Sequence, residues 1–240
     1  MRAVSVFTLV TILVAAPAAA GVIRGQLWLE RSSVRKPALV AAARDAATTP
    51  APDVRRLLAA QRGVSDAVLY VESIDERTEQ RLARPKGGSW FSWLPWADKP
   101  EPRLKRLVQS KNRFDPRVFV TVAGESVELL NLDRVYHNTF SVSAAKRFDL
   151  GKYAPGATDT ITFEHPGIVN LHCDIHPDEI GYVAVTPNHA YAAPDSLGRF
   201  ELPRLPEGSY RLRYWHPHQG DHVLGVVVPR RGDVVLELAF

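Results

Sequence analysis

The chain has 240 residues, 23% of which are charged, and a formal net charge of +4. A positive balance this small gives no reason to expect a nucleic-acid-binding protein. Cys173 is the only cysteine, which excludes an internal disulfide bond.

The first twenty residues have the layout of a secretory signal peptide. Arg2 supplies a positive start, residues 3–14 are almost wholly apolar, and Ala18-Ala19-Ala20 has the small residues of a cleavage site. The apolar run is shorter than the roughly 20 residues that a membrane span needs. We therefore expect a mature chain that begins near Gly21 and has no stable membrane insertion after cleavage. An uncleaved N-terminal anchor is the alternative.

Residues 21–75 combine predicted strands with a helical insertion. The stretches 22–29 and 66–71 alternate or are rich in β-branched residues, which predicts two strands. Between them, Pro52–Gln61 has helical spacing and Gly63 follows as a stop signal. A short helix is therefore predicted in this insertion.

A charged insertion is predicted over residues 76–108. Trp90, Trp93 and Trp96 lie close together in it, and they either fold back over the core or form a docking face for a partner or membrane surface. Residues 77–117 carry eleven Lys and Arg against four Asp and Glu. This excess predicts either the steering of an acidic partner or a solvated basic loop.

From residue 109 onward, short predicted strands follow one another closely. The stretches 117–123 and 125–132 flank Gly124 as a hairpin-like pair. The other predicted strands are 139–142, 158–163, 168–171, 182–185, 198–202, 206–212, 223–228 and 233–238. Strands at this spacing are typical of a β-sandwich, so we predict an all-β chain.

Two segments carry the candidate chemistry. Cys173 and His176 are three positions apart, and His137 lies well before them. Copper that changes between its two oxidation states favours one thiolate and two imidazoles in a roughly trigonal arrangement. One tight loop would present Cys173 and His176, and a distant strand would bring in His137. We therefore predict one mononuclear copper site, which would also explain how a lone cysteine survives export.

Several short motifs around these residues carry a resemblance to a known family. They are Phe114-Asp115-Pro116, Asn131-Leu132-Asp133, His137-Asn138-Thr139-Phe140-Ser141, Phe148-Asp149-Leu150-Gly151, Pro166-Gly167 and Cys173-Asp174-Ile175-His176-Pro177. With them, the run from Gln109 to Val185 resembles plastocyanin-like cupredoxins of the methylamine-utilisation protein type. The resemblance implies a Greek-key β-sandwich, copper binding and electron transfer in the periplasm. By position, His137, Cys173 and His176 match the equatorial ligands of that family.

The chain departs from that family at the fourth ligand. The family has a methionine three residues before the aromatic residue of the closing strand, and counting back from Tyr182 that position is Glu179. Met1 is the only methionine in the chain. Glu179 is therefore a candidate axial ligand, whose hard oxygen would favour oxidised copper. The alternative is that Glu179 faces solvent and the copper is three-coordinate or takes a water, and this is the arrangement we expect.

Other polar residues near the motifs are predicted to have supporting roles. His172 precedes the cysteine in a strand, so it should point to the opposite face and be structural. His165 lies in a turn and should be exposed. Asn138 is expected to hydrogen-bond across the ligand loops.

The C-terminal tail resembles a second module. Residues 194–214 are similar to carboxypeptidase-regulatory-like sandwiches, and the stretches 21–29 and 66–71 resemble their opening strands. The tail also contains a cluster of His216, His218 and His222, which is predicted to be a polar hairpin loop. The alternative is a second metal site, or an electron path through Trp215.

The predicted organisation is a signal peptide (1–20), N-terminal strands with the helical insertion (21–75), the basic insertion (76–108), the copper domain (109–188) and C-terminal strands (189–240). The copper domain would be inserted into a second small, carboxypeptidase-regulatory or transthyretin-like β-sandwich.

The function predicted from the sequence is that of an electron carrier, not an enzyme. Its redox partner protein would dock on the basic stretch 77–117. Copper delivery or storage with the same ligands is the alternative, and a metal-free scaffold is another. A thiol enzyme that uses Cys173 with His176 is disfavoured, because the Cys-x-x-His loop lacks a third orienting group.

Overall fold

The structure is a computed structural model that describes residues 20–28, 64–84 and 104–240. The predicted helix over 52–61, the three clustered tryptophans and all but the last residue of the predicted signal peptide lie outside the described residues. Within the described ranges, no helix is long and apolar enough to cross a membrane.

The described residues form eighteen strands, one α-helix and a short 3-10 helix. The strands are β1 (Ala20–Gly21), β2 (Ile23–Trp28), β3 (Val68–Val71), β4 (Lys105–Gln109), β5 (Phe114–Asp115), β6 (Val118–Val122), β7 (Ser126–Asn131), β8 (Thr139–Ser143), β9 (Lys146–Asp149), β10 (Thr158–Thr162), β11 (Gly167–Cys173), β12 (Ile180–Thr186), β13 (Tyr191–Ala192), β14 (Arg199–Glu201), β15 (Leu205–Pro206), β16 (Gly208–His216), β17 (Gly220–Val228) and β18 (Val234–Ala239). The α-helix is α1 (Glu76–Leu82) and the 3-10 helix is Val64–Asp66.

Strands β4 to β12 form the first of two β-sandwiches. One sheet has the strand order β10-β7-β4-β5 and the other has β6-β12-β11-β8-β9. Buried side chains alternate along β7, where Val127, Leu129 and Asn131 point inward. The core between the sheets is built from eleven buried apolar residues: Leu107, Phe114, Phe119, Val127, Leu129, Ile161, Phe163, Val169, Leu171, Val183 and Val185.

The hairpin predicted on either side of Gly124 is wrong. Strand β6 pairs in parallel with β12, whereas β7 pairs with β10 and β4 in the opposite sheet. Gly124 has a φ of 90°, which favours glycine, and its N–H donates to the Phe163 carbonyl at 2.8 Å. The turn therefore carries the chain from one sheet to the other and does not join neighbours within a sheet.

The second sandwich combines strands from both ends of the described chain. Its sheets have the orders β14-β2-β18 and β13-β3-β16-β17. Strands β2 and β3 thus pair with strands that follow the first sandwich in the chain. The short β1 pairs with β15, joining Ala20 to Pro206. The prediction of an all-β chain with two β-sandwiches is confirmed, while the cupredoxin type of the first sandwich and the carboxypeptidase-regulatory type of the second stay predictions.

Helix α1 is an element that the sequence reading did not predict. Asp75 caps it, since one carboxylate oxygen accepts from the Thr78 N–H at 2.9 Å and the other from the Thr78 hydroxyl at 2.6 Å. The helix begins the segment predicted as the basic insertion, and β4 of the first sandwich occupies its other end. Regular structure therefore lies at both ends of that segment.

The two sandwiches contact each other through a small apolar cluster. Val68 of β3 packs with Val118 and Ala184 of the first sandwich, and all three are buried. Beside them the Trp215 ring meets the Tyr182 ring edge-on, with centroids 5.4 Å apart. These contacts fix the first sandwich on the second.

Glu125, in the turn between β6 and β7, gives a prediction about acid stability. Desolvation acts to raise the pKa of its carboxyl, but hydrogen bonds from the Lys105 ammonium, the Val122 N–H and the Thr121 hydroxyl outweigh it and lower the pKa from 4.5 to about 2. A depressed pKa stabilises the folded state above the unfolded pKa, and that contribution is lost as pH falls from about 4.5 towards 2. We expect Glu125→Gln to remove about 1–2 kcal/mol of this pH-dependent stability, a value discounted for solvent screening.

Chemical denaturation at pH 6, 4 and 2.5 measures this effect as the free energy of unfolding. Glu201→Gln, which neutralises an exposed carboxyl in β14, is the control. If wild type and Glu125→Gln lose stability in parallel as the pH falls, Glu125 does not contribute as described.

Candidate metal centre

Four candidate ligands from two separate segments meet at one end of the first sandwich. His137 precedes β8, Cys173 ends β11, His176 lies in the following loop and Glu179 precedes β12. One donor atom from each lies within 4.8 Å of the others. His137, Cys173 and Glu179 are buried, whereas the side chain of His176 is 24% exposed.

The donor atoms of the four residues face a common point. Cys173 Sγ lies 3.8 Å from His137 Nδ1 and 3.6 Å from His176 Nδ1. Glu179 Oε2 lies 2.9 Å from His137 Nδ1 and 3.6 Å from His176 Nδ1. A sulfur, two imidazole nitrogens and a carboxylate oxygen in this arrangement suit a four-coordinate transition-metal ion.

Backbone pairing explains why these segments converge. In the ladder between β11 and β8, Cys173 is opposite Thr139, so His137 lies only two residues from the partner of the cysteine. His137 is held in turn by Tyr153, because each residue donates its N–H to the other's carbonyl, at 3.2 and 2.9 Å. The N–H of Glu179 donates to the His176 carbonyl at 2.9 Å, which closes the ligand loop.

The expectation that Glu179 faces solvent is wrong. Glu179 is 1% exposed, and Gln109 Nε2 donates to its Oε1 at 2.9 Å. Two residues further on, Phe114 lies so close to Gly181 that a Cβ there would be 2.6 Å from the ring. A side chain at position 181 would therefore clash with Phe114 of β5, so a glycine is needed there for this close approach.

Asp133 is a supporting residue that the sequence reading did not single out. Its Oδ2 lies 3.2 Å from His137 Nε2, and its carboxylate also accepts the N–H groups of Lys111 and Asn112 in the β4–β5 turn. Desolvation acts to raise the pKa of Asp133, but these donors and His137 outweigh it and lower the pKa. Asp133 could accept an Nε2–H of His137, and that arrangement would leave the Nδ1 lone pair for a metal.

The sulfur of Cys173 is surrounded by backbone donors. Burial raises the pKa of the thiol, and the N–H groups of Asn138, His176 and Ile175 oppose that rise. The side chain of Asn138 is a separate case, since its buried Oδ1 has no hydrogen-bond partner among the described residues. The expected side-chain hydrogen bond of Asn138 across the ligand loops is not seen at that oxygen.

The other histidines lie away from this group. The His172 ring packs at a tilt against Phe140, with centroids 5.6 Å apart, and His165 is exposed, both as predicted.

The C-terminal histidine cluster belongs to the β16–β17 hairpin. The N–H of His218 donates to His216 Nδ1 at 3.2 Å, and the His222 ring stacks on Tyr214. In the part of the chain that the structure describes, a group able to hold a metal is found only at His137, Cys173, His176 and Glu179. Only His218 lies in the turn of the predicted polar loop, because His216 ends β16 and is buried and His222 belongs to β17.

Comparison with known proteins finds similarity among solved structures alone. The chain matches no protein-family model and no curated protein sequence. It is similar to a purple cupredoxin from Nitrosopumilus maritimus, with 23% identity over 34% of this chain and 99% of that chain and a TM-score of 0.32. It is also similar to a reduced amicyanin variant, with 21% identity over 35% of this chain and 82% of that chain and a TM-score of 0.32. An oxidised amicyanin variant is 20% identical over 34% of this chain and 81% of that chain, again with a TM-score of 0.32.

Proposed function

We propose that this chain is an exported, periplasmic electron-transfer protein of the cupredoxin type with one mononuclear copper site. The observation that carries the proposal is the convergence of Cys173 Sγ with the Nδ1 atoms of His137 and His176, all within 4.8 Å. One thiolate and two imidazoles are the donor set of copper electron-transfer sites. His137, Cys173 and His176 would hold the copper, and Glu179 would supply a fourth, axial donor through Oε2.

The packing around these donors favours electron transfer over catalysis. His137, Cys173 and Glu179 are buried and held by backbone or side-chain hydrogen bonds, so the donor geometry would change little between oxidation states. The partly exposed His176 would bring the metal within reach of the surface. When bound, copper supplies the one-electron redox step, and the chain supplies a preorganised set of donors.

A groove next to the site is the proposed docking surface for the redox partner. Lys111, Arg113 and Arg117 line a cavity of about 860 Å³ together with Asp115 and with Asp178 and Ile180, which flank Glu179, so its cations exceed its carboxylates by three to two. These cations belong to the basic stretch 77–117. Positive charge at this position would steer an acidic partner towards the copper loop.

Copper delivery or storage is the second candidate, and Glu179 is the observation that favours it. A buried carboxylate beside a thiolate gives the donor set two negative charges, which suits a divalent ion better than a monovalent one. An electron-transfer protein, by contrast, must both accept and donate electrons quickly. Slow self-exchange with ready release of copper to a chelator would favour delivery.

The test is to titrate the purified full-length chain with copper and record its visible and electron paramagnetic resonance (EPR) spectra. We expect one copper per chain, an intense thiolate-to-copper band and fast self-exchange. A folded preparation that binds no copper would overturn the proposal.

A further inference from the structure

A chain of hydrogen bonds links the two sheets of the first sandwich directly beneath Glu179. Gln109, the last residue of β4, donates to Glu179 Oε1 at 2.9 Å. Its own side-chain oxygen accepts from the Thr139 hydroxyl at 3.0 Å, and that hydroxyl lies 2.8 Å from the Tyr153 hydroxyl. All four residues are at least nine-tenths buried.

The direction of each hydrogen bond in this chain follows from the chemistry of its ends. An ionised Glu179 carboxylate can only accept, so the Gln109 amide must present its NH₂ to it. The Gln109 oxygen then accepts the Thr139 proton, which leaves Thr139 to accept from the Tyr153 hydroxyl. Burial raises the pKa of Tyr153, which agrees with a phenol that keeps its proton and donates it. In each hydrogen bond of this series, the donated proton therefore points along the series towards Glu179.

We propose that Gln109 is a positioning residue for the metal, which holds Glu179 so that Oε2 alone faces the bound ion. This inference rests on the proposed metal site. Oε1 is occupied by the Gln109 amide, whereas Oε2 faces His137 Nδ1 and His176 Nδ1. A carboxylate held in this way binds a metal through one oxygen, and it cannot swing to bind through two or turn away from the site.

A purely structural role for Gln109 predicts a different result. A buried glutamine that only ties β4 to β8 would lower the stability of every variant equally, whether or not Glu179 is a carboxylate. A positioning residue acts through Glu179, so its effect on metal binding should vanish when Glu179 cannot ligate through oxygen. A double-mutant cycle separates the two roles.

The experiment measures the affinity of the full-length chain for Cu²⁺ and for Zn²⁺, which serves as a redox-inactive probe. Gln109→Met keeps the side-chain length and removes the donor, and it is made in wild type and in Glu179→Met. Thr139→Val, which removes the donor to the Gln109 oxygen, is a second variant in case Gln109→Met folds poorly. Thr186→Val, a buried hydroxyl deletion at the far end of β12, is the matched control.

We expect Gln109→Met to weaken binding of both ions by about tenfold, the lower end of the loss typical of outer-shell residues. The EPR spectrum of its Cu²⁺ form should change from one species to more than one. In Glu179→Met the same substitution should change affinity by less than about twofold, and Thr139→Val should weaken binding in the same direction as Gln109→Met. Thr186→Val should leave affinity and spectrum as in wild type.

Equal losses of affinity in both backgrounds, or an unchanged affinity and spectrum in Gln109→Met, would overturn the inference while the proposed function stands. Wild-type protein that binds Zn²⁺ but not Cu²⁺ would instead overturn the proposed function and leave the role of Gln109 to be decided by the cycle. A wild type that binds neither ion would overturn both.

Discussion

Cys173→Ser is expected to abolish the intense visible band of the copper-loaded protein. That band arises from charge transfer between thiolate sulfur and Cu²⁺, and a serine hydroxyl at the same position is a poor substitute for a soft thiolate. Affinity for copper should fall by more than about a hundredfold, because the loss of a direct ligand exceeds the 10–100-fold loss that outer-shell changes cause. Visible absorption and competition against a chelator measure the two effects.

The substitution is small enough to leave the fold intact. Cys173 ends β11 and is buried, and serine has nearly the same shape. Circular dichroism should therefore match that of wild type. His165→Ala, at an exposed position in the turn before β11, is the control and should keep the band. An intense band that survives in Cys173→Ser would show that the sulfur is not a copper ligand.

Glu179→Met is expected to raise the reduction potential of the copper site by about 60–120 mV. The carboxylate adds a second negative charge beside the thiolate and favours Cu²⁺ over Cu⁺, whereas a thioether is neutral and favours Cu⁺. A tenfold to hundredfold change in relative affinity for the two ions corresponds to roughly this shift, at about 59 mV for each factor of ten in a one-electron couple. Spectroelectrochemical titration gives the potential directly.

A neighbouring carboxylate supplies the control for that substitution. Asp178→Asn removes the same charge one residue away, but Asp178 is exposed and its effect should be screened by solvent. We expect a shift of less than about 20 mV for it. Glu179→Gln should fall between Asp178→Asn and Glu179→Met. If Glu179→Met and Asp178→Asn shift the potential equally, Glu179 acts only as a distant charge and does not touch the metal.

The buried position of Glu179 also predicts how its variants affect stability. In Glu179→Met the Gln109 amide loses its acceptor inside the sandwich, and a buried donor without a partner costs about 1–3 kcal/mol. In Glu179→Gln an acceptor oxygen remains within reach, so the cost should be smaller. Thermal unfolding of the metal-free variants measures this difference separately from the potential.

The sequence by itself determined the secondary-structure class and most of the candidate donor set. Alternating apolar residues define strands such as β7, and the Cys-x-x-His spacing places Cys173 and His176 on one loop. Both features are local, because side chains alternate between the two faces of a strand and the two loop ligands are close in sequence. A short stretch of sequence is therefore enough to predict them. His137 could be predicted as a ligand because it lies in the motif His137-Asn138-Thr139-Phe140-Ser141.

Only the tertiary structure decided which polar side chains surround those donors. Nothing near Glu179 in the sequence predicts burial, because its partner Gln109 belongs to another strand, seventy positions away. Asp133 acquires its role only when the β4–β5 turn folds against it. The chain around Gly124 likewise has the pattern of a hairpin, yet its two strands join different sheets. Strand alternation shows that a residue points inward, but the sheet that it faces is set by pairings between distant segments, and these pairings place Glu179 at the site.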